Sequence, residues 1–208
     1  MMDEAFVDVE IGRVLRASTA GFAVGCRVAQ LETPAFGGLV KAQPLDDREA
    51  IYGLIYDMHI DDDPLVRRLV MADTPRPEAI SDQRRNRLLP IEMSILVVGY
   101  QLNGDLYHGL PPRPPLNLDP VYMVLDADEV RRFSERLGYL RLVLRNAGTG
   151  IPIDQLLVAH ILDIYRRRGD DAAWALQVTQ ELIELLRSNY DVLIPTLEAL
   201  SEAMPALA

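Results

Sequence analysis

Phe22-Ala23-Val24-Gly25-Cys26-Arg27-Val28 carries Phe, Val, Cys and Val at every even position, with Ala, Gly and Arg between them. Ile51 to Ile60 repeats the pattern, with Tyr52, Leu54, Tyr56, Met58 and Ile60 in one row and Gly53, Asp57 and His59 opposite. Ile91 to Tyr100 does so again, setting Ile91, Met93, Ile95 and Val97 against Glu92 and Ser94. Side chains of a strand alternate faces, so each run predicts a half-buried strand rather than a helix. Gly, Pro and Asp punctuate the runs, and short strands spaced this way suggest a small closed barrel, which removes sticky edges.

Working outward, Phe6 to Arg16 reads as the opening strand, with Val7, Val9 and Ile11 alternating against Asp8 and Glu10. Leu39 to Gln43 reads as a third short strand, and Asn103-Gly104-Asp105 as a hairpin turn leading into Leu106 to His108. Between strands, Asp61-Asp62-Asp63-Pro64 predicts a helix start. Asp63 suits the N-cap and Pro64 the first helical position, where its missing N–H costs nothing. Capping and the helix dipole account for the three aspartates, which lack the spaced ligands and turn glycine of a calcium loop.

Asp73 to Leu89 is charged and proline-broken, an excursion out of the barrel that carries Arg84, Arg85 and Arg87. Leu110-Pro111-Pro112-Arg113-Pro114-Pro115 admits neither a central strand nor a helix interior, because each proline fixes φ and lacks a donor. A stiff, extended connector is expected there. Past about Leu125 the apolar period changes from two to 3.6. Asp126-Ala127-Asp128-Glu129 has capping-box spacing. Tyr139 to Leu144 is ambiguous between helix and strand. Ile153, Leu156, Leu157, Ile161 and Ile164 then form a stripe ending at Arg166-Arg167-Arg168-Gly169, where cations and glycine suit a helix C-terminus. Asp170 to Arg187 is a further helix whose wide apolar arc implies neighbours on two sides, within the bundle or from a second chain. Tyr190 to Ala203 makes a last segment, bent or restarted at Pro195. The fold class expected is α+β: a closed β-barrel over residues 1–120, with an excursion at about 61–89, and an α-helical bundle over 121–208.

The 208 residues carry 21 Lys and Arg against 31 Asp and Glu, a net charge of −10 with the acid excess in both halves. Neutralising phosphates supplies most nucleic-acid affinity, so direct DNA or RNA binding through Arg84, Arg85 and Arg87 runs against the global charge. Met1 to Glu4 brings acids where a secretory signal would be basic. No apolar run approaches the roughly 18–20 residues that span a bilayer. A cytoplasmic protein is expected, with the lone Cys26 a small buried hydrophobe.

His59, His108 and His160 stand far apart in three elements, and no zinc-type spacing joins them. His160 falls inside its helix stripe, as a packed or hydrogen-bonded histidine would. Gly148-Thr149-Gly150 lacks the lysine of a phosphate loop, and Pro152 removes a donor at the helix start. No cofactor, metal or catalytic residue is assigned on these grounds. Tyr107, His108 and Arg113, near the connector, are the candidates for a ligand site between barrel and bundle, where domain junctions often form pockets.

Ile11-Gly12-Arg13-Val14 followed by a strand with Phe22, then Phe36-Gly37-Gly38-Leu39-Val40 and Ile51-Tyr52-Gly53-Leu54-Ile55, resemble the HerA–ATP synthase barrel. This is the small N-terminal barrel of HerA-type DNA-translocating ATPases and of F-type ATP synthase subunits. Val97-Val98-Gly99-Tyr100 and Pro111 to Pro115 resemble its close, so the likeness covers about residues 5–120. Where that family places its motor, this chain has a helical segment without a phosphate loop. The resemblance implies a detached barrel: a non-enzymatic assembly module, with a HerA-like ring ATPase of DNA processing as partner and no family catalytic residue carried over. A homo-oligomer, most simply a dimer, is also expected, because Leu157, Val158, Leu162, Val178, Leu185 and Leu186 fall partly outside the main helix stripes.

Overall fold

The structure, a computed structural model, describes residues 8–26, 33–44, 48–60, 67–68, 70–71, 76–78, 91–145 and 150–204. Seven strands are found among them: β1 (Val9–Ala17), β2 (Gly21–Cys26), β3 (Leu39–Ala42), β4 (Glu49–Ile60), β5 (Ile91–Leu102), β6 (Asp105–Tyr107) and β7 (Pro120–Met123). All pairings are antiparallel. The order β1-β2-β5-β4-β3-β7 returns to β1, so six strands close a barrel. β5 reaches this closure because it is long: Ile91 to Leu96 pair with β2, and Tyr100 to Leu102 pair with β6 beyond the barrel wall. Asn103 and Gly104, both with positive φ (53° and 93°), make the tight turn between β5 and β6.

The barrel is filled by its own side chains, as small barrels are. Ile11, Val14, Phe22, Val24, Ile51, Ile55, Met93, Ile95, Val97, Val121 and Met123 form this interior, with Cys26 buried among them. The rows read from Phe22 to Cys26 and from Ile91 to Val97 therefore point inward. The row read on β4 does not. Ile51 and Ile55 fill the barrel, while Tyr52 and Leu54 lie on its outside under the helices. β4 is thus buried on both faces from Ala50 to Ile55 and β5 from Ile95 to Gly99, where a second layer covers the wall, while Ile91 to Ser94 keeps the alternating, half-buried pattern.

That layer is five helices: α1 (Ala127–Ser134), α2 (Leu140–Arg145), α3 (Ile153–Arg167), α4 (Ala172–Leu186) and α5 (Tyr190–Ala203). They share one core with the outer faces of β3, β4 and β5, joining Leu39, Tyr52, Leu54, Leu96 and Val98 to Phe133, Leu156, Ile161, Trp174, Leu182 and Leu200. Tyr139 to Leu144 resolves as helical, and α5 runs through Pro195 without restarting. Asp126 caps α1, accepting the Glu129 N–H at 2.8 Å, and Asp171 caps α4 by accepting that of Trp174 at 3.1 Å. Gly169, at φ +76°, follows α3 as the C′ residue.

Two further sequence expectations change. Leu157, Val178 and Leu186 are buried, and Val158, Leu162 and Leu185 pack partly buried against the same core, so most of this apolar surplus is taken up within one chain. The barrel also draws its closing strand from Pro120–Met123, a segment that carried no strand signal in the sequence. The helix start expected at Asp63-Pro64 lies outside the described residues. No helix among the described residues is long and apolar enough to cross a membrane.

Candidate functional site: the cleft between the β5–β6 hairpin and α1

Phe133 sets the position of α1. Its ring lies over Gly99 of β5, where an added Cβ would come within 3.2 Å of the ring. Three other rings surround it: Tyr52 at 5.0 Å, His108 at 5.1 Å and Tyr139 at 5.0 Å. With Phe133 inward, the helical period turns Arg131, Arg132, Glu135 and Arg136 outward, beside the projecting β5–β6 hairpin. Hairpin and helix end enclose a cleft of about 750 Å³, lined by Asp105, Tyr107, His108, these four charged residues and Gly138.

Tyr107 and His108, the junction candidates, are therefore brought together. Tyr107 is half exposed and stacks on Tyr100 at 5.1 Å. His108 Nε2 lies 3.0 Å from the Phe133 carbonyl, which can only accept, so Nε2 carries the proton and Nδ1 is an acceptor. Nδ1 lies on the Gly138 side, 3.6 Å from where a Cβ on that glycine would sit. Burial pushes the His108 pKa below its ordinary value and the charge of Arg136 pushes the same way, against the opposing effect of the carbonyl bond. His108 is accordingly neutral at pH 7.

Arg113 does not join them. It lies on the exposed connector, paired with Glu49 at 2.9 Å. Arg84, Arg85 and Arg87 lie outside the described residues. A shallower recess of about 460 Å³ lies by the β1–β2 turn, but its cation, Arg16, is engaged in a two-pronged pair with Glu92.

Sequence reasoning missed Arg131, Arg132 and Arg136, which read as the polar face of an amphipathic helix. Only the hairpin opposite makes them cleft residues. It also missed a polar chain along the seam: Lys41 pairs with Asp8 at 2.5 Å and with Glu129 at 2.6 Å, and Tyr52 donates to Glu129 at 2.6 Å. One signal was available, since Lys41 is the only lysine in the chain. His160 is fully buried, between the Gly37 carbonyl and the Tyr139 hydroxyl at 3.0 Å each, a packed histidine as its stripe position suggested. Arg168 closes the α3 end: it pairs with Asp171 at 2.9 Å, donates to Ser134 Oγ at 3.0 Å and lies over the Trp174 ring.

Among the described residues no cluster of three or more His, Cys, Asp or Glu side chains could hold a metal ion. No protein-family model matches the chain, and no curated protein matches it significantly.

Proposed function

We propose that this protein is a non-enzymatic assembly module that self-associates through α4. One observation carries the reading. The inner face of α4 is spent on the shared core through Trp174, Val178, Leu182 and Leu186. A second row, Ala173, Leu176, Gln180 and Ile183, recurs at alternating three- and four-residue spacing and faces solvent. Leu176 is 52% exposed and Ile183 43%. A row at 3-4 spacing is the seam along which two helices interlock side chains. A two-fold dimer is the simplest closed assembly such a seam can make.

The barrel would then be held as a rigid head at each end of the pair. By resemblance to the HerA–ATP synthase barrel, its partner would be a HerA-like ring ATPase of DNA processing, an analogy of fold rather than of site chemistry. Light scattering after size exclusion tests the self-association. A mass of twice 23.3 kDa is expected, with Leu176→Glu and Ile183→Glu returning a folded monomer. A monomeric mass across micromolar concentrations, or dimers indifferent to both substitutions, refutes it. For the partner, capture from the native host should enrich a ring ATPase, and its absence from the captured proteins counts against the adaptor role.

A further inference from the structure

We propose that the cleft between the β5–β6 hairpin and α1 binds a small molecule through a phosphate group, held by Arg131, Arg132 and Arg136. This would give the junction the ligand role that the sequence raised for Tyr107 and His108, and it stands apart from self-association through α4.

The argument starts from what else could explain three arginines at the end of a helix. Cations there usually complement the exposed C-terminal carbonyls. Here other donors already serve those carbonyls. Arg168 donates to the Arg131 oxygen at 3.3 Å, His108 to the Phe133 oxygen at 3.0 Å and Trp174 Nε1 to the Ser134 oxygen at 2.9 Å. The three cleft arginines cap none of them.

Ion pairing does not explain them either. Arg13, Arg16, Arg113, Arg141, Arg167, Arg168 and Lys41 each pair with a carboxylate. Among the described residues Arg131, Arg132 and Arg136 pair with none. Arg131 is instead anchored on the Arg168 carbonyl at 2.7 Å, and Arg132 reaches the Gln101 side-chain oxygen at 3.3 Å. Arg131 thus serves the C-terminal carbonyl of α3, and Arg132 lies between the Gln101 oxygen and the Tyr52 hydroxyl, so neutral oxygens orient both guanidinium groups and neither is paired directly with a carboxylate. Arg136 makes no hydrogen bond or ion pair among the described residues. In a chain of net charge −10, this is a local reversal of sign.

Guanidinium forks match the oxygen spacing of phosphate and give charge-assisted bonds. Asp105 and Glu135 also line the cleft and oppose an anion, leaving a surplus of one positive charge from three arginines against two carboxylates. A dianion best exploits such a surplus. Beside it, neutral His108 offers Nδ1 to a ligand hydroxyl, and the half-exposed Tyr107 ring offers an apolar wall. The volume lies within the usual range of small-ligand sites, about 300–1,000 Å³.

Calorimetric titration of the full chain with inorganic phosphate, adenosine monophosphate and adenosine tests this. Phosphate and the monophosphate are expected to bind and adenosine not to, with affinity falling as salt rises. Tighter binding of the monophosphate than of phosphate marks the source as a phosphate ester, and equal binding marks it as the free anion. Arg136→Gln removes no contact that holds the fold, so its melting temperature should be unchanged while binding weakens about tenfold. Arg132→Gln should weaken it similarly, Glu135→Gln should strengthen it, and Arg141→Gln, on α2, should leave it unaltered. No saturable binding of either phosphate compound overturns the proposal. So does binding that Arg136→Gln and Arg132→Gln leave intact.

Discussion

Tyr52 on β4 donates its hydroxyl to Glu129 on α1 across 2.6 Å, joining the outside of the barrel to the first helix laid upon it. The other oxygen of Glu129 takes Lys41 at 2.6 Å, and Lys41 reaches Asp8 at 2.5 Å, just ahead of β1. Burial would lower the Lys41 pKa, but hydrogen bonds to Asp8 and Glu129 more than offset it and hold the ammonium above its ordinary value. Burial, then the charge of Glu129, raises the Tyr52 hydroxyl far above its own, so Tyr52 stays a donor. The arrangement fixes where α1 starts on the barrel.

Lys41→Met should therefore be costly, because it leaves Asp8 and Glu129 facing each other without their shared cation. A loss of about 2–4 kcal/mol is expected. Tyr52→Phe, which removes one charge-assisted hydrogen bond, should cost about 1–2 kcal/mol. Denaturant unfolding measures both, and an unmoved midpoint for Lys41→Met would show that the cluster does not hold the seam. The Lys41 contribution should be complete below the lysine's unfolded pKa and disappear as pH rises through its higher folded value.

His160 predicts acid sensitivity of opposite sense. Nδ1–H donates to the Gly37 carbonyl and Nε2 accepts from Tyr139, so the ring is neutral, and burial lowers its pKa to about 4. The unfolded chain takes up this proton near the ordinary pKa of about 6.5. Stability is thus full above that value and falls between it and about 4, by about 3 kcal/mol in all. His160→Gln should be less stable at neutral pH and show a flatter decline over the same interval. Parallel wild-type and variant curves would contradict the assignment.

Gly37 should tolerate no side chain. Its φ is +82°, and an added Cβ would lie 2.7 Å from both the Ala159 Cβ and the His160 backbone nitrogen of α3. Gly37→Ala combines a left-handed penalty of about 1–2 kcal/mol with displacement of α3 from the barrel, for about 3 kcal/mol or more. Gly104, also at positive φ but with nothing within 4 Å of an added Cβ, should show the conformational penalty alone. Equal losses at the two sites would mean that the close approach of α3 carries no energy.

Arg168 should not be replaceable by lysine. Its guanidinium simultaneously meets Asp171, Ser134 Oγ and the Arg131 carbonyl and lies 5.3 Å from the Trp174 ring centroid. A single ammonium cannot reproduce that fork. Arg168→Lys is expected to cost about 2 kcal/mol, close to Arg168→Ala, by thermal or denaturant unfolding. A lysine variant as stable as wild type would reduce the contact to simple charge.

Local pattern decided much of this protein. The alternation from Phe22 to Cys26 and from Ile91 to Val97 specified strands and their inward rows. Asn103-Gly104 specified the hairpin, Asp126 the start of α1 and Gly169 the end of α3. These features are legible because strand period, turn chemistry and capping act over a few neighbouring residues.

What lay beyond that range was settled only in three dimensions. Tyr52 and Leu54 read as the core row of β4 but face the helices, since two apolar faces look alike until the covering layer is known. Pro120–Met123 closes the barrel although four residues show no period, because its hydrogen bonds come from β1 and β3, far away in sequence. Arg131, Arg132 and Arg136 are an ordinary polar helix face until the β5–β6 hairpin stands opposite them. Lys41 meets Glu129 only because α1 returns to the outside of β3. Periodicity reports which residues share a face; which partner that face meets depends on contacts made across the whole chain.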